Sequence, residues 1–259
     1  MITRARASAL IFGGSLIAAS RVPACAQTAA PVTILGAGPA KAFLDALVPA
    51  FEKVSRRSVV VRYPGLALTN MITAGEPFDV VIAPAGALGA LVKGGWVLPD
   101  SQAVLGSSIV CLAYRSGTPA PDISTPAALK AVVLNAKAIS YSDPAAGGPS
   151  TLYFAGLIGQ LGIAEDVQRK AILTKIGAGA VPVGDGRADV GIAQTTEIAL
   201  VPGVTGVPLN PSDPRTKTTF SAGVAAKSAN ADAARAFVRF LLTPDALAVA
   251  KASGFVQEP

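Results

Sequence analysis

The sequence of 259 residues contains no histidine. Histidine is the commonest general base near neutral pH and a common metal ligand, so its absence excludes Ser-His-Asp and Cys-His catalytic sites. Charged residues are also scarce, at 15% of the chain, and aromatic residues make up 5%, whereas hydrophobic residues make up 51%. Together with 26 glycines and 20 prolines, this composition predicts a compact α/β protein that buries a substantial core.

The first 26 residues have the pattern of a secretory signal peptide. Two arginines precede an apolar run over residues 7–20, and an Ala-x-Ala pattern ends at Ala26. The run is shorter than the roughly 20 residues that a membrane-spanning helix needs, so we expect cleavage after Ala26 and export of a soluble protein. Two alternatives stay open, namely an uncleaved N-terminal anchor and lipid attachment at Cys25.

Cysteine is nearly absent, since the chain has only Cys25 and Cys111. Cleavage after Ala26 removes Cys25, so no intramolecular disulfide is predicted. Cys111 lies in the apolar run SSIVCLAY, which indicates a small side chain buried in a strand.

The positive charge of the chain is mild. The formal net charge is +6, and loss of Arg4, Arg6 and Arg21 with the signal peptide lowers it to +3. No block of lysine and arginine stands out, so nucleic-acid binding is not predicted. A weak positive field suits an anionic ligand.

Strand-like and helix-like segments alternate along the chain, as in PVTILG, RSVVVRYPG and FDVVIAP with helical patterns between them. This order predicts parallel strands with helices on the faces of a sheet. Two long apolar strands near 107–115 and 217–227 flank a self-contained middle section. We therefore predict two lobes, with residues 27–110 and 220–259 in the first and 111–219 in the second. A ligand is expected in the cleft, at the carboxyl ends of the strands.

The stretch VTILGAGPAKAF resembles the start of a dinucleotide-binding motif, which requires G-x-G-x-x-G. Gly36 and Gly38 fit, but Lys41 occupies the third glycine position. The second strand ends at Pro64 without the acidic residue that would hold a ribose. A dinucleotide cofactor is therefore not expected. A strand followed by a glycine-rich turn and a helix N-terminus still favours an anion.

Four segments are similar to bacterial periplasmic molybdate-binding proteins of ABC importers: FEKVSRRSVVVRYPGLALTNMITAGEPFDVVIAP, ISYSDPAAGGPSTLYFAGLIGQLGI, GRADVGIAQTTEI and ANADAARAFVRFLLTPDA. The match covers essentially the whole chain after the signal peptide. The resemblance implies a type II periplasmic-binding-protein fold, an α/β fold with mixed sheets flanked by helices and two hinge crossings. It further implies a periplasmic, monomeric protein that binds a small anionic ligand and meets a permease of the inner membrane, with no cofactor and no metal.

The resemblance also places ligand contacts. Where the family has two serines that bind the oxyanion, this chain has Pro39 and Gly65, and Gln194 stands in place of a tyrosine. Pro39 and Gly65 have no hydroxyl, and Pro39 lacks an N–H. The predicted ligand is therefore a small anion, either a molybdate-like oxyanion or an organic carboxylate. Lys41 is a candidate counter-ion for it.

The segment SDPAAGGPST repeats the strand-to-helix pattern in the second lobe. Pro149 suits the start of a helix, and we expect the N–H and hydroxyl groups of Ser150 and Thr151 to face the cleft. The complete set of candidate ligand-binding residues is Ala37, Gly38, Pro39, Ala40, Lys41, Gly65, Leu66, Ala67, Ala83, Pro84, Pro149, Ser150, Thr151 and Gln194.

Three functions stay open. The favoured one is a solute-binding protein that delivers its ligand to an ABC importer, and the second is a sensor or accessory binding protein without transport. The third is an exported enzyme that uses carboxylates for acid–base chemistry. The carboxylates available for that chemistry are Asp79, Asp143, Asp185, Asp189, Asp213 and Glu197, but their spacing does not demand it. We therefore predict that the protein is not an enzyme.

Overall fold

The computed structural model describes residues 30–146 and 148–257. The predicted signal peptide and Cys25 lie outside the described residues. The strands are β1 (Val32–Gly36), β2 (Val59–Arg62), β3 (Val80–Pro84), β4 (Ala103–Arg115), β5 (Ile139–Ser142), β6 (Ala171–Thr174), β7 (Val190–Gln194), β8 (Val204–Pro208) and β9 (Lys217–Val224).

The helices are α1 (Lys41–Ser55), α2 (Leu68–Thr73), α3 (Ala85–Lys93), α4 (Pro126–Asn135), α5 (Pro149–Gln160), α6 (Ala164–Arg169), α7 (Val181–Gly184), α8 (Thr195–Ile198), α9 (Ala231–Phe240) and α10 (Pro244–Ala252). Short 3₁₀ turns occupy Gly38–Ala40, Gly65–Ala67, Pro99–Ser101, Pro144–Ala146 and Pro214–Thr216. None of the described helices is long and apolar enough to cross a membrane.

The strands form a mixed sheet in the order β2-β1-β3-β9-β4-β7-β5-β6, with β8 also paired to β4. Pairing is parallel within β2-β1-β3 and within β6-β5-β7, and antiparallel wherever β4 or β9 takes part. This mixed α/β architecture confirms the predicted fold class.

The strand β4 connects the two parallel groups. Its first half, Ala103–Ile109, pairs with β9, and its second half, from Val110, pairs with β7 and β8. β3 runs in the same direction as β4 and β7 runs in the opposite direction, because each intervening pair is antiparallel. The carboxyl ends of the two parallel groups therefore point toward each other.

The second long strand is shorter than the sequence predicts. β9 ends at Val224, although the N–H of Ala225 still donates to the carbonyl of Asp79 (2.9 Å), which continues the register with β3 by one residue. The N–H of Ala226 then donates to the carbonyl of Trp96 (2.9 Å), outside the sheet. The first long strand begins earlier than predicted, at Ala103.

Hydrophobic packing separates the chain into two groups of buried side chains. One group draws on residues 32–105 and 220–255, and the other on residues 110–209. In α1 the predicted apolar stripe is buried through Phe43, Leu44 and Phe51. On these separate cores we propose a first lobe of residues 30–110 and 220–257 and a second lobe of residues 111–219.

Cys111 is buried on β4, with 1% of its surface exposed, as the sequence predicts. Burial raises the pKa of its thiol to about 12, because the thiolate would lose its hydration. A thiol of this kind is an inert packing group.

Asp79 connects β1 and β3 to the segment before α9 by hydrogen bonds. Its carboxylate, 6% exposed, accepts hydrogen bonds from the N–H of Thr33 (2.8 Å), the hydroxyl of Ser228 (2.6 Å) and the amide of Asn230 (3.2 Å). These contacts join β1, β3 and the segment that leads into α9. A buried carboxylate is tolerated in such a place because its oxygens are satisfied by donors.

We expect Asp79→Ala to lower the free energy of unfolding by about 3 kcal/mol, because three donors lose a charged partner in a buried place. Urea denaturation measures this loss. The matched control is Asp100→Ala, which removes an exposed carboxylate paired with Arg235 and should change stability by less than about 0.5 kcal/mol. Equal losses in the two variants would show that the Asp79 contacts contribute no more than a surface ion pair.

Candidate ligand-binding cleft

Three loops of the first lobe meet at the carboxyl ends of its parallel strands. β1 leads into the 3₁₀ turn Gly38–Ala40, β2 leads into the turn Gly65–Ala67, and β3 leads directly into α3. Because β1 lies between β2 and β3, these loops share one edge of the sheet. The structure thus brings together the candidate residues of this lobe.

The loop after β1 uses most of its backbone donors internally. The N–H of Ala37 donates to the carbonyl of Ile82 (2.8 Å), and the N–H of Ala40 donates to the carbonyl of Ala37 (2.9 Å). The N–H of Lys41 donates to the carbonyl of Gly38. Pro39 has no N–H, so this loop leaves the N–H of Gly38 as its remaining backbone donor.

Lys41 has partners within its own lobe. Its ammonium pairs with Asp45 one helical turn later and lies 5.0 Å from the centre of the Tyr63 ring. The Tyr63 hydroxyl donates to the same carboxylate (2.9 Å). Burial acts to raise the pKa of Asp45, but the hydrogen bonds from Lys41 and Tyr63 bring it below its usual range. Lys41, the candidate counter-ion for the ligand, is therefore paired with Asp45 in this structure.

The other first-lobe candidates are mostly apolar. Gly65 adopts φ +61°, a conformation that favours glycine, and it turns the chain so that Leu66 is 75% exposed. Ala67 is also exposed, whereas Ala83 is buried at the end of β3 and Pro84 precedes the first turn of α3. The side chains on this side of the cleft are apolar, so its hydrogen-bond donors are backbone N–H groups, at Gly38 and in the first turn of α3.

The first turn of α5 carries the candidates of the second lobe. Pro149 occupies its first position, and the N–H of Leu152 donates to the carbonyl of Gly148 (3.0 Å). The N–H groups of Ser150 and Thr151 therefore precede the first intrahelical bond of α5, where helix geometry leaves donors unpaired. Ser150 is 5% exposed.

The hydroxyl of Thr151 differs from the expectation. It donates to the carbonyl of Ser142 (3.1 Å), the last residue of β5, and so connects the helix to the strand that precedes it. The side chain is 1% exposed. A threonine in the first turn of a helix bonds nearby backbone readily, because its hydroxyl is close to the preceding loop. Its N–H, rather than its hydroxyl, is the group left for a ligand.

Gln194 ends β7 and precedes α8. It is 3% exposed, and its side chain faces the backbone N–H of Glu197 in a capping box at the start of α8. Its backbone N–H donates to the Glu197 carboxylate (2.9 Å), which caps the start of α8. Since β7 lies beside β5 and α5 packs on β7, the amide of Gln194 and the first turn of α5 occupy the same edge of the second lobe.

Contacts at the base of the cleft connect the two lobes. The turn Gly38–Ala40 approaches α8, and the Cα of Gly254, which follows α10, lies so close to α8 that a Cβ there would stand 2.3 Å from the carbonyl oxygen of Thr195. Thr195 and Thr196 in turn bond the Ser108 hydroxyl on β4, at 3.3 and 2.9 Å. The start of α8 is thereby fixed to the strand that joins the lobes.

Glu197 lies beside Gln194, although the sequence singled it out only as one of six carboxylates. It is 9% exposed. Burial raises the pKa of its carboxyl above the usual range, although the hydrogen bond from Gln194 acts to lower it. The pattern QTTE, a cap followed three residues later by an acid, was the signal that could have located it. The Glu197 carboxyl thus lies against the backbone N–H of Gln194.

One surface cavity reaches the first turn of α5, and two others lie away from this edge. A cavity of about 450 Å³ lies beside Asp79 and Trp96, and one of about 650 Å³ beside α4. A third, of about 350 Å³, borders α5 and includes Pro149, Tyr153 and Arg215. Within the described residues, no cluster of three or more His, Cys, Asp or Glu side chains could hold a metal ion.

Comparison with known proteins shows which sequences this chain resembles. Residues 32–256 match the family model described as bacterial extracellular solute-binding protein. Over 253 residues the chain is 30% identical to an aconitate isomerase from a Pseudomonas species, covering 95% of each protein.

Solved structures agree on the fold. A periplasmic molybdate-binding protein from Azotobacter vinelandii superposes with a TM-score of 0.66 at 20% identity, covering 88% of this chain and all of that one. A sulfate-binding protein from Mycobacterium tuberculosis superposes with a TM-score of 0.59 at 22% identity, covering 87% and 86%. The chain belongs to the family of bacterial extracellular solute-binding proteins.

Proposed function

We propose that the protein captures a small anion in the cleft between its lobes, outside the cytoplasm, and delivers it to an ABC importer. One observation carries the proposal. The first turn of α5 presents the N–H groups of Ser150 and Thr151 and the hydroxyl of Ser150 at the edge where the side-chain amide of Gln194, whose nitrogen can donate, is also found. A helix N-terminus of this kind favours negative charge, because its N–H groups and its dipole both face the ligand.

The donors in this cleft are neutral groups. Lys41 is paired with Asp45, so the candidate cation of the first lobe is already compensated. An anion would be held by hydrogen bonds from backbone and side-chain donors, which in a site shielded from water are stronger than at the surface. Neutral donors also leave a bound anion free to depart, which suits a protein that must release its ligand to a transporter.

A thermal-shift screen against molybdate, sulfate and small carboxylates tests the proposal. A ligand at 100 times its dissociation constant stabilises a protein by about 2.7 kcal/mol, which for a chain of this size is a rise in Tm of roughly 5–10 °C. We expect at least one of these anions to give such a rise. A response to neutral solutes alone would contradict the proposed anion site.

The variant Gln194→Ala locates the site. We expect a loss of binding affinity of about fivefold or more, because the proposed site then loses the side-chain nitrogen of Gln194 as a donor at a buried position. The matched control is Gln168→Ala, which removes an exposed glutamine on α6 and should bind as the unmodified protein does. Equal affinities for the Gln194 variant and the unmodified protein would remove Gln194 from the site.

A second function is favoured by the relative that is an aconitate isomerase. Its match extends over nearly the whole of both chains, and aconitate is itself a small carboxylate. Interconverting isomers of an unsaturated carboxylate requires a group that removes a proton and returns it. The chain has no histidine for this role. Glu197 is a buried carboxyl with a raised pKa at the same edge as Gln194, and a raised pKa suits a carboxylate to proton transfer.

Incubation with cis-aconitate, followed by proton NMR for trans-aconitate, distinguishes binding from isomerisation. If the protein is an isomerase, Glu197→Gln should reduce the rate by about 100-fold or more while leaving the dissociation constant of aconitate nearly unchanged. Glutamine keeps an oxygen that accepts from the Gln194 N–H. Binding of aconitate without any conversion would leave the protein a receptor alone.

The pH dependence of stability checks the state of Glu197 independently. Because the folded protein raises its pKa, the ionised side chain lowers stability as pH rises from the usual glutamate range through the raised value. The neutral Glu197→Gln variant does not carry this cost. We therefore expect the variant to be more stable than the unmodified protein above the raised pKa, with the difference in the free energy of unfolding vanishing at lower pH. A difference that does not vary with pH would contradict the assignment.

A further inference from the structure

The segment that follows α10 is held firmly against the first lobe. The ring of Phe255 is 1% exposed and packs edge-on against two phenylalanine rings of the first-lobe core, with centres 5.8 and 5.7 Å away. Val256 exchanges two backbone hydrogen bonds of 2.8 Å with Ser107 on β4. The side-chain amide of Gln257 donates to the carbonyl of Leu105 on the same strand (2.9 Å). These contacts leave the backbone of the segment little freedom to move away from β4.

Gly254 lies where this segment touches the second lobe. Its φ is +85°, a conformation that favours glycine. A Cβ on it would lie 2.3 Å from the carbonyl oxygen of Thr195, 2.6 Å from the carbonyl carbon of that residue and 2.8 Å from the Cα of Thr196. All three are backbone atoms at the start of α8, so no side-chain rotation can relieve the overlap. Any larger residue at this position therefore requires one of the two backbones to shift.

The start of α8 is connected to the residues of the candidate site. The hydroxyls of Thr195 and Thr196 lie 3.3 and 2.9 Å from the Ser108 hydroxyl on β4. Gln194 directly precedes the helix, and the Glu197 carboxylate accepts a hydrogen bond from its backbone N–H (2.9 Å). These residues form one short capped turn. A shift of the Thr195 backbone therefore moves Gln194 and Glu197 with it.

Resting on the proposed function, we propose that Gly254 is a positioning residue for the ligand site. Because it has no side chain, the first turn of α8 can lie directly against the first lobe. This contact sets where the side chain of Gln194 stands relative to the first turn of α5. Gly254 itself does not touch the ligand. A backbone contact from the first lobe thus determines the arrangement of donors in the second.

The variants Gly254→Ala and Gly117→Ala separate this contact from backbone strain. Gly117 has nearly the same φ, +84°, but a Cβ there would meet nothing within 4 Å. It follows the end of β4 that is remote from the site, because β7 runs antiparallel to β4 and places Gln194 opposite Val110. Both variants carry the cost of an alanine at positive φ, and only Gly254→Ala adds the overlap with α8.

Backbone amide signals in NMR report the position of α8 without any ligand. We expect Gly254→Ala to shift the signals of Gln194, Thr195 and Glu197, and Gly117→Ala to leave them unchanged. In titrations with cis-aconitate, molybdate and sulfate, Gly254→Ala should weaken the binding of each anion that the unmodified protein binds by about tenfold, because the Gln194 side chain is displaced from it. Gly117→Ala should bind as the unmodified protein does.

Hydrogen exchange in the unmodified protein decides the matter if Gly254→Ala does not fold. Saturation with a bound anion should slow exchange of the Gly254 and Val256 amides more than that of the Gly95 amide, which lies in the same lobe and donates to the carbonyl of Val92 (3.0 Å). Equal slowing at the three amides would show that the segment after α10 is not coupled to the site.

The titrations also distinguish the two proposals. If the unmodified protein binds an anion and both glycine variants bind it equally well, Gly254 does not position the site, while the proposed anion receptor stands. If the unmodified protein binds none of the three anions, the proposed anion receptor falls, and the role of Gly254 in binding falls with it.

Discussion

The pairing of β4 with different partners along its length is the constraint on which the cleft depends. Its first half bonds β9 in the first lobe, and its second half bonds β7 and β8 in the second. Because both pairings are antiparallel, the parallel strands on either side must end facing each other. Ser108 on the same strand bonds Thr195 and Thr196, so the strand that joins the lobes also fixes the turn that carries Gln194. The start of α8, which follows Gln194, is thus bonded to the strand that runs between the two groups of buried side chains.

Much of the fold could be predicted from the sequence because its signals are local. The apolar stripe of α1 depends on helical spacing, and the Thr125 hydroxyl accepts from the N–H of Ala128 (3.1 Å) as a cap before Pro126 should. The burial of Cys111 follows from the apolar run around it. Each of these features is decided within one element, so neighbours distant in sequence change it little.

The hydrogen-bonding state of the polar candidate residues could not be predicted from the sequence, because it depends on tertiary partners. The sequence offers Lys41 as a candidate counter-ion, and the structure pairs it with Asp45 and the Tyr63 ring. It favours the Thr151 hydroxyl as a donor to the ligand, but the carbonyl of Ser142 accepts that bond. The burial of the Gln194 side chain follows from how β7 packs beside β4 and β5, which the local pattern QTTE does not specify. Residue types indicate which groups can bind a ligand, and the fold decides which of them already have a partner within the protein.

Binding and isomerisation would both hold the anion at the first turn of α5, and isomerisation would in addition transfer a proton. A carboxylate held on the first turn of α5 would lie at the edge where Glu197 is found. Glu197 accepts the Gln194 N–H with its Oε2 atom (2.9 Å), so the other oxygen is the one left to exchange a proton. If Glu197 faces the ligand, its protonated form would add one donor and favour an anion. Its ionised form would be a stronger base, because burial disfavours the charge, but it would put a second negative charge near the ligand. In the proposed isomerase, the raised pKa of this carboxyl would therefore decide which of the two forms meets the anion.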